Sequence, residues 1–157
     1  MAEIRPIEWS AGTLKLLDQT KLPLQQVIVD VGSWRQAAEA IRSMQVRGAP
    51  AIGVTAGYAV VLAALESNFT DKPSLMNFLN QVSAEIKSAR PTAVNLGWAV
   101  DRMLRAAELI EDPGDIESGL LSEAMRIQEE DEAINRRMGF LGKDLIPEGG
   151  AVLTHCN

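Results

Sequence analysis

Apolar and polar residues alternate along the first thirty positions of the chain, and the period then lengthens from that of a strand to that of a helix. The runs "IRPIEW", "TLKLLD" and "QQVIVDV", between residues 4 and 31, are short and of β type. The intervening "SAG" and "TKLP" supply Gly and Pro for turns, so a small antiparallel meander is expected. From Ser33 onward Trp34, Ala37, Ala38, Ile41 and Met44 fall on one helical stripe. Ser33 with Gln36 three positions later forms a capping-box pattern, and the helix is expected to stop near Val46.

A second helix follows over residues 51–65, with Pro50 in its first turn, where no intrahelical acceptor is lost. It shows no polar face, the pattern of a helix surrounded by others. Gly53, Ala56 and Gly57 would let neighbouring backbones come close. Asp71 and Pro73 open a third helix carrying Leu75, Phe78, Leu79, Val82 and Ile86 at helical spacing. "RPT" (90–92) interrupts the pattern; Pro91 biases Arg90 away from helical angles and Thr92 is placed to cap a fourth helix. That helix buries Leu96, Val100, Met103, Ala107 and Ile110, and Asp112, Pro113 and Gly114 end it. The fifth helix runs from about Ile116 to Met138 with Leu120, Ala124, Ile127 and Ile134 inward, and "QEEDE" (128–132) reads as its solvated face. After Gly139 come a turn and a strand of buried type, Ala151 to Thr154. No internal repeat or low-complexity segment interrupts this order.

Composition narrows the class. At 157 residues, 46% hydrophobic and 23% charged, the chain has the make-up of a folded domain or of one domain with part of another. A net charge of −6, with fifteen scattered Lys and Arg, argues against a reader of nucleic-acid backbone. The single cysteine, Cys156, excludes an internal disulfide framework and suits a reducing, cytoplasmic compartment. With His155 as the lone histidine, soft ligands are too few for a structural zinc site, and no metal is expected. The amino terminus lacks an apolar signal core. The longest uncharged apolar run, residues 49–65, falls short of the roughly 20 residues that span a bilayer, so no membrane partner is expected.

Three places can carry chemistry. Arg47 stands at the mouth of the uncharged second helix, where free N–H groups and the helix dipole attract anions, and Gly48 and Ala49 allow a ligand close to the backbone. A surface arginine before an ordinary helix start is the alternative reading. Arg90 stands in the same relation to the fourth helix, and two such arginines could clamp one phosphate. Cys156 lies just past the expected strand, where ligands gather in open parallel sheets, although an isolated cysteine is more often an inert buried apolar group. His155 would point to the other side of that strand.

The segments "IEWSAGTLKLLDQTKLP", "MQVRGAPAIGVTAGYAV", "RPTAVNLGWAVDRM" and "GGAVLTHCN" together resemble the amino-terminal half of the methylthioribose-1-phosphate isomerases, enzymes of methionine salvage. The first and third also echo a wider superfamily, which includes ribose-1,5-bisphosphate isomerases and the regulatory subunits of translation initiation factor 2B. The resemblance implies an α/β protein. In it residues 1–145 form a β-meander and helical domain, and residues 146–157 open a Rossmann-like catalytic domain. It implies that Arg47, Gly48, Ala49 and Arg90 hold a sugar phosphate, that Cys156 is catalytic, and that a catalytic aspartate lies beyond Asn157. It further implies a homodimer and a reaction without metal or organic cofactor. The expectation is therefore an amino-terminal portion of a longer isomerase, inactive by itself. Two alternatives stay open: action on ribose 1,5-bisphosphate, and a non-catalytic assembly subunit. Trp9, Tyr58 and Trp98 are candidates to touch the methylthio group, with ordinary core packing as the competing role of each.

Overall fold

The computed structural model describes residues 5–153. Strands β1 (Ile7–Ser10), β2 (Thr13–Leu17) and β3 (Ile28–Val31) form an antiparallel sheet in sequence order. Ile7 lies opposite Leu16 and Leu14 opposite Val31, and all four side chains are buried. The β1–β2 hairpin turns on Ala11 and Gly12, both at positive φ (50° and 77°), which matches the right-handed twist of the strands it joins.

Five helices follow: α1 (Trp34–Arg42), α2 (Ala49–Glu66), α3 (Lys72–Ser88), α4 (Val94–Leu109) and α5 (Ile116–Gly142). Helix α2 is the axis of the molecule. It is buried without a break from Ile52 to Ala64, and it packs against α1, α3, α4, α5 and β1. It is long and apolar enough to cross a membrane, yet 72% of it is buried within the fold, as a core helix should be.

Polar groups fasten the other elements around this axis. Ser33 Oγ accepts from the Gln36 N–H at 3.1 Å, and Asp71 Oδ1 accepts from the Ser74 N–H at 2.9 Å, so α1 and α3 are capped by side chains. Gln36 Oε1 reaches back to the Gly32 N–H instead of to Ser33. The first N–H of α1, that of Trp34, donates to Glu66 Oε1 at the far end of α2 (3.0 Å). Lys72 Nζ donates to the carbonyls of Glu108 and Ile110, closing the carboxyl end of α4 from the start of α3.

Several expected details are corrected. Helix α1 ends at Arg42, not near Val46, because Met44 adopts left-handed angles (φ 62°) that turn the chain back. The Val46 N–H then bonds to the Ala40 carbonyl at 3.1 Å, so Val46 is buried outside the helix while Met44 is exposed. Thr92 does not cap α4; Ala93 holds the cap position and offers no side-chain acceptor. Ile110 is only partly buried, at the cap that follows α4. Gly139 does not end α5, which continues through Gly142 into a 3-10 turn, and Ile134 is exposed on it. Ala151, Val152 and Leu153 are exposed and form no strand. Thr154, His155 and Cys156 lie outside the described residues.

The α2–α4 contact sets how the starts of these helices lie. A Cβ on Gly53 would sit 3.1 Å from the Asn95 carbonyl oxygen, whereas one on Gly57 would meet the Ile127 side chain at an ordinary 3.5 Å. Gly53→Val is therefore expected to destabilise the chain by about 2 kcal/mol, and Gly57→Ala to be neutral or mildly stabilising through helix propensity. Urea midpoints of the two variants measure this; equal midpoints would show that α2 and α4 are not closely packed at Gly53.

Candidate functional site

The site begins with a backbone requirement. Gly48 caps α2 at φ 90°, ψ 130°, a conformation that a side chain disfavours, although a Cβ there would meet nothing within 4 Å. Glycine is needed for its angles, not for space. The segment before it is pinned from the end of β2. The Gln19 N–H donates to the Gln45 carbonyl (2.9 Å), and Gln19 Nε2 donates to that of Arg47 (3.2 Å). Asp18, almost wholly buried, steadies this corner by accepting from the Thr20 N–H and hydroxyl.

With its carbonyl held, Arg47 lines a cavity of about 640 Å³ at the start of α2. Arg5, Gln19, Gly48 and Pro50 share one side of it, and Gln128, Asp131, Glu132 and Arg136 of α5 share the other. Arg47 Nε is buried and has no hydrogen-bond partner among the described residues. A buried donor of this kind is costly unless something occupies it, and a guanidinium favours an oxyanion.

Helix α4 starts beside α2, as the Gly53–Asn95 approach shows. Neither α2 nor α4 has a side-chain cap, in contrast to α1 and α3. Two helix starts with open N–H groups thus lie side by side, and both dipoles favour negative charge there. Arg90 precedes α4, and its Nη1 is likewise buried without a hydrogen-bond partner among the described residues. Between the two starts and α5 lies a second cavity, of about 370 Å³, lined by Gly53, Val94, Asn95, Trp98, Ile127, Glu130 and Ile134; it shares Pro50, Val54 and Asp131 with the first.

The wall contributed by α5 is locked to the core. Tyr58, 2% exposed and stacked on Trp9 at 5.3 Å, donates its hydroxyl to Gln128 Oε1 at 2.8 Å. Gln128 Nε2 in turn donates to the Ile7 carbonyl of β1 (3.3 Å). Burial, then the charges of Glu129 and Glu132, push the Tyr58 hydroxyl up to about 12. Arg102 of α4 holds Glu123 and, through two bonds, Glu130, while its guanidinium lies 5.4 Å from the Trp98 ring centre. The Glu130 carboxyl is held below its ordinary range by the Arg102 hydrogen bond, and Asp131 is raised, first by burial and then by Glu132.

Of the residues singled out from sequence, Arg47 and Gly48 line the larger cavity. Ala49 is exposed at the first helical position and lines neither cavity; Arg90 also lines neither. Cys156 and His155 fall outside the described residues. Of the three aromatic candidates, Trp9 and Tyr58 are stacked on each other and only Trp98 lines a cavity. Sequence reading missed Gln19, Gln128 and Asp131. The only signal at 128–132 was polarity, which marks solvent and cavity walls alike.

The profile of the Initiation factor 2 subunit family matches residues 45–157. The chain is 47% identical over 155 residues to a methylthioribose-1-phosphate isomerase of Desulforudis audaxviator, and 48% identical over 157 residues to one of Alkalilimnicola ehrlichii. Each alignment covers 98% of this chain and 44% of the relative, so the chain spans under half the length of these proteins. Among solved structures it superposes on 5-methylthioribose 1-phosphate isomerase from Pyrococcus horikoshii with a TM-score of 0.87 and 34% identity, covering 93% of this chain and 42% of that one. It also superposes on translation initiation factor eIF-2B, subunit delta, from A. fulgidus (TM-score 0.85, 39% identity, 92% and 42% coverage).

Tyr58 is the only tyrosine in the sequence, so its ionisation reports directly on the lock between α2 and α5. Its folded pKa is raised from 10 to about 12, so the stability it contributes is complete below pH 10 and is lost as pH climbs from 10 towards 12. Phenolate absorbance in the folded protein is expected to stay low at pH 10 to 11 and to rise together with unfolding. Reversible ionisation with a midpoint near 10 would show that Tyr58 is not enclosed between α2 and α5.

Proposed function

The chain belongs to the Initiation factor 2 subunit family, and we propose that it is the amino-terminal portion of an isomerase that converts 5-methylthioribose 1-phosphate to 5-methylthioribulose 1-phosphate. The observation that carries the phosphate part of this reading is the buried, unpartnered Arg47 Nε in a cavity at an uncapped helix start. The names of the curated relatives, at 47% and 48% identity over 98% of the chain, support the reaction. The likeness to an initiation-factor subunit supports the second reading, a non-catalytic assembly subunit. An arginine at an open helix start whose buried Nε has no hydrogen-bond partner among the described residues favours the first, because an assembly role does not call for an anion cradle.

The phosphate is assigned to Arg47 and Arg90, together with the open N–H groups at the start of α2, where Gly48 and Ala49 let it approach. Once C1 carries a phosphate, the sugar ring cannot open by loss of the anomeric proton. Ring opening must instead break the bond between C1 and the ring oxygen, and that oxygen must receive a proton. In the proton-transfer route a base removes the hydrogen at C2, and its electron pair forms the C1–C2 double bond as the ring bond breaks. A proton then returns to C1, and the C2 hydroxyl gives up its own to leave the ketone. A hydride shift from C2 to C1 is the competing route. Cys156 is assigned to the C2 proton, and the proton donor to the aspartate that the family resemblance puts beyond Asn157. The uncharged flank of α2 excludes water from the intermediate and strengthens the phosphate contacts. Residues 146–157 are assigned to the opening of a Rossmann-like domain, and the whole protein to a cytoplasmic homodimer.

In the complete protein, Arg47→Ala is expected to weaken phosphate-dependent binding by about ten- to a hundredfold, the loss of one charge-assisted hydrogen bond. Arg90→Ala is expected to do the same, with a double variant losing less than the product of the two because both act on one phosphate. Cys156→Ser should retain binding and lose turnover. Unchanged affinity in both arginine variants would overturn the phosphate site, and full turnover in Cys156→Ser would remove that residue from the reaction.

A further inference from the structure

The two cavities that meet over the start of α2 differ in chemistry. The larger carries Arg5, Arg47 and Arg136 among its walls, three guanidiniums against the carboxylates of Asp131 and Glu132. The smaller has an apolar lining that includes Val94, Trp98, Ile127 and Ile134; its charged residues are Glu130 and Asp131, with no Lys or Arg. The nearest guanidinium of α4, that of Arg102, is turned onto Glu123 and Glu130. Trp98 is 47% exposed and leaves a ring face available, whereas Trp9 and Tyr58 spend theirs on each other.

We propose that the smaller cavity is the subsite for the 5-substituent of the sugar phosphate, with Trp98 as the residue that selects an uncharged thioether over a second phosphate. The inference rests on the isomerase reading above and adds the determinant of substrate choice. Because Pro50, Val54 and Asp131 wall both cavities, a ligand anchored by its phosphate at Arg47 extends across the α2 start into the smaller one. There a methylthio group meets the Trp98 ring and the Val94 and Ile134 side chains, and sulfur packs favourably against an aromatic ring. A phosphate at the same carbon would lose its water beside Glu130 and Asp131, while the Arg102 guanidinium over Trp98 is already committed to Glu123 and Glu130. Arg102 is a positioning residue: it holds Glu130 on one wall while its guanidinium lies over Trp98 on the other.

The test compares methylthioribose 1-phosphate with ribose 1,5-bisphosphate as substrates of the complete enzyme. Trp98→Ala is expected to raise KM for the methylthio substrate by about tenfold, the scale for losing the pocket of one small apolar group. Inhibition by inorganic phosphate should be unchanged, and Trp98→Phe should restore most of the loss. Ile134→Ala, at an exposed position on the facing wall, should act in the same direction without touching the fold. Asp131→Asn should raise kcat/KM for the bisphosphate by about fivefold. If the wild-type enzyme turns over the methylthio substrate but Trp98→Ala and Ile134→Ala both leave its KM within about twofold, the subsite is overturned and the isomerase reading stands. If the wild-type enzyme does not turn over that substrate, both are overturned.

Discussion

A helix with no polar face has to be wrapped on every side, and that constraint organises the whole structure. From Ile52 to Ala64, α2 offers nothing to solvent, so four helices and the edge of the sheet must cover it. Only its two ends are left uncovered. A central helix whose flanks are sealed can meet a ligand only at an end, and the amino end carries the open N–H groups and the positive pole of the dipole. Gly48, Arg47 and the Gln19 anchor are arranged around that amino end. The close approach at Gly53 then brings the equally uncapped start of α4 alongside. Two positive helix ends in contact repel each other unless negative charge joins them. Arg47 Nε and Arg90 Nη1, buried without a hydrogen-bond partner among the described residues, compound that need.

The fold was legible in the sequence wherever a single period ran long enough to be unambiguous. The meander, the order of five helices and the caps at Ser33 and Asp71 all follow from local pattern. The misreadings are local too, and each has a competing interaction behind it. Met44 continues the apolar stripe of α1, but its left-handed backbone ends the helix so that Val46 can be buried from the loop. Thr92 has the chemistry of a cap, yet the chain begins α4 two residues later. Gly139 has the look of a stop for α5, but the helix runs on to Gly142, since a glycine inside a helix costs only about 1 kcal/mol, which an extended helix can absorb.

The site divides in the same way. Arg47 and Gly48 could be found because their local requirement, a cation and a positive φ before a proline, is written in four adjacent letters. Gln19 and Gln128 could not. Their work is to join segments 28 and 121 residues apart, the Arg47 carbonyl in one case and the Ile7 carbonyl in the other. Nothing near either glutamine in sequence announces its partner. The acidic run at 128–132 is the solvated face its polarity announces, with Glu129, Glu130 and Glu132 exposed, but its share in the cavity walls is hidden because a helix face turned to solvent and one turned to a wet cavity have the same composition. What separates them is the tyrosine that Gln128 meets, 70 residues earlier in the chain.

For a chain of net charge −6 to hold a phosphate, local structure must override the global field. Screening makes this possible, since charges more than about 10 Å apart across solvent scarcely interact at ordinary ionic strength. The decision then belongs to the groups inside the cavity, where water is thin and each pair counts for more. Asp131 and Glu132 of α5 do not defeat the anion site, because Arg5, Arg47 and Arg136 line the same cavity, while Arg102 binds Glu123 and Glu130 of that helix. Glu130 and Asp131 serve the opposite purpose in the smaller cavity, whose lining has no Lys or Arg, by keeping it hostile to anions. One helix can therefore bound a site for a phosphate and a site against one, provided that arginines outnumber carboxylates on the first wall and are missing from the second.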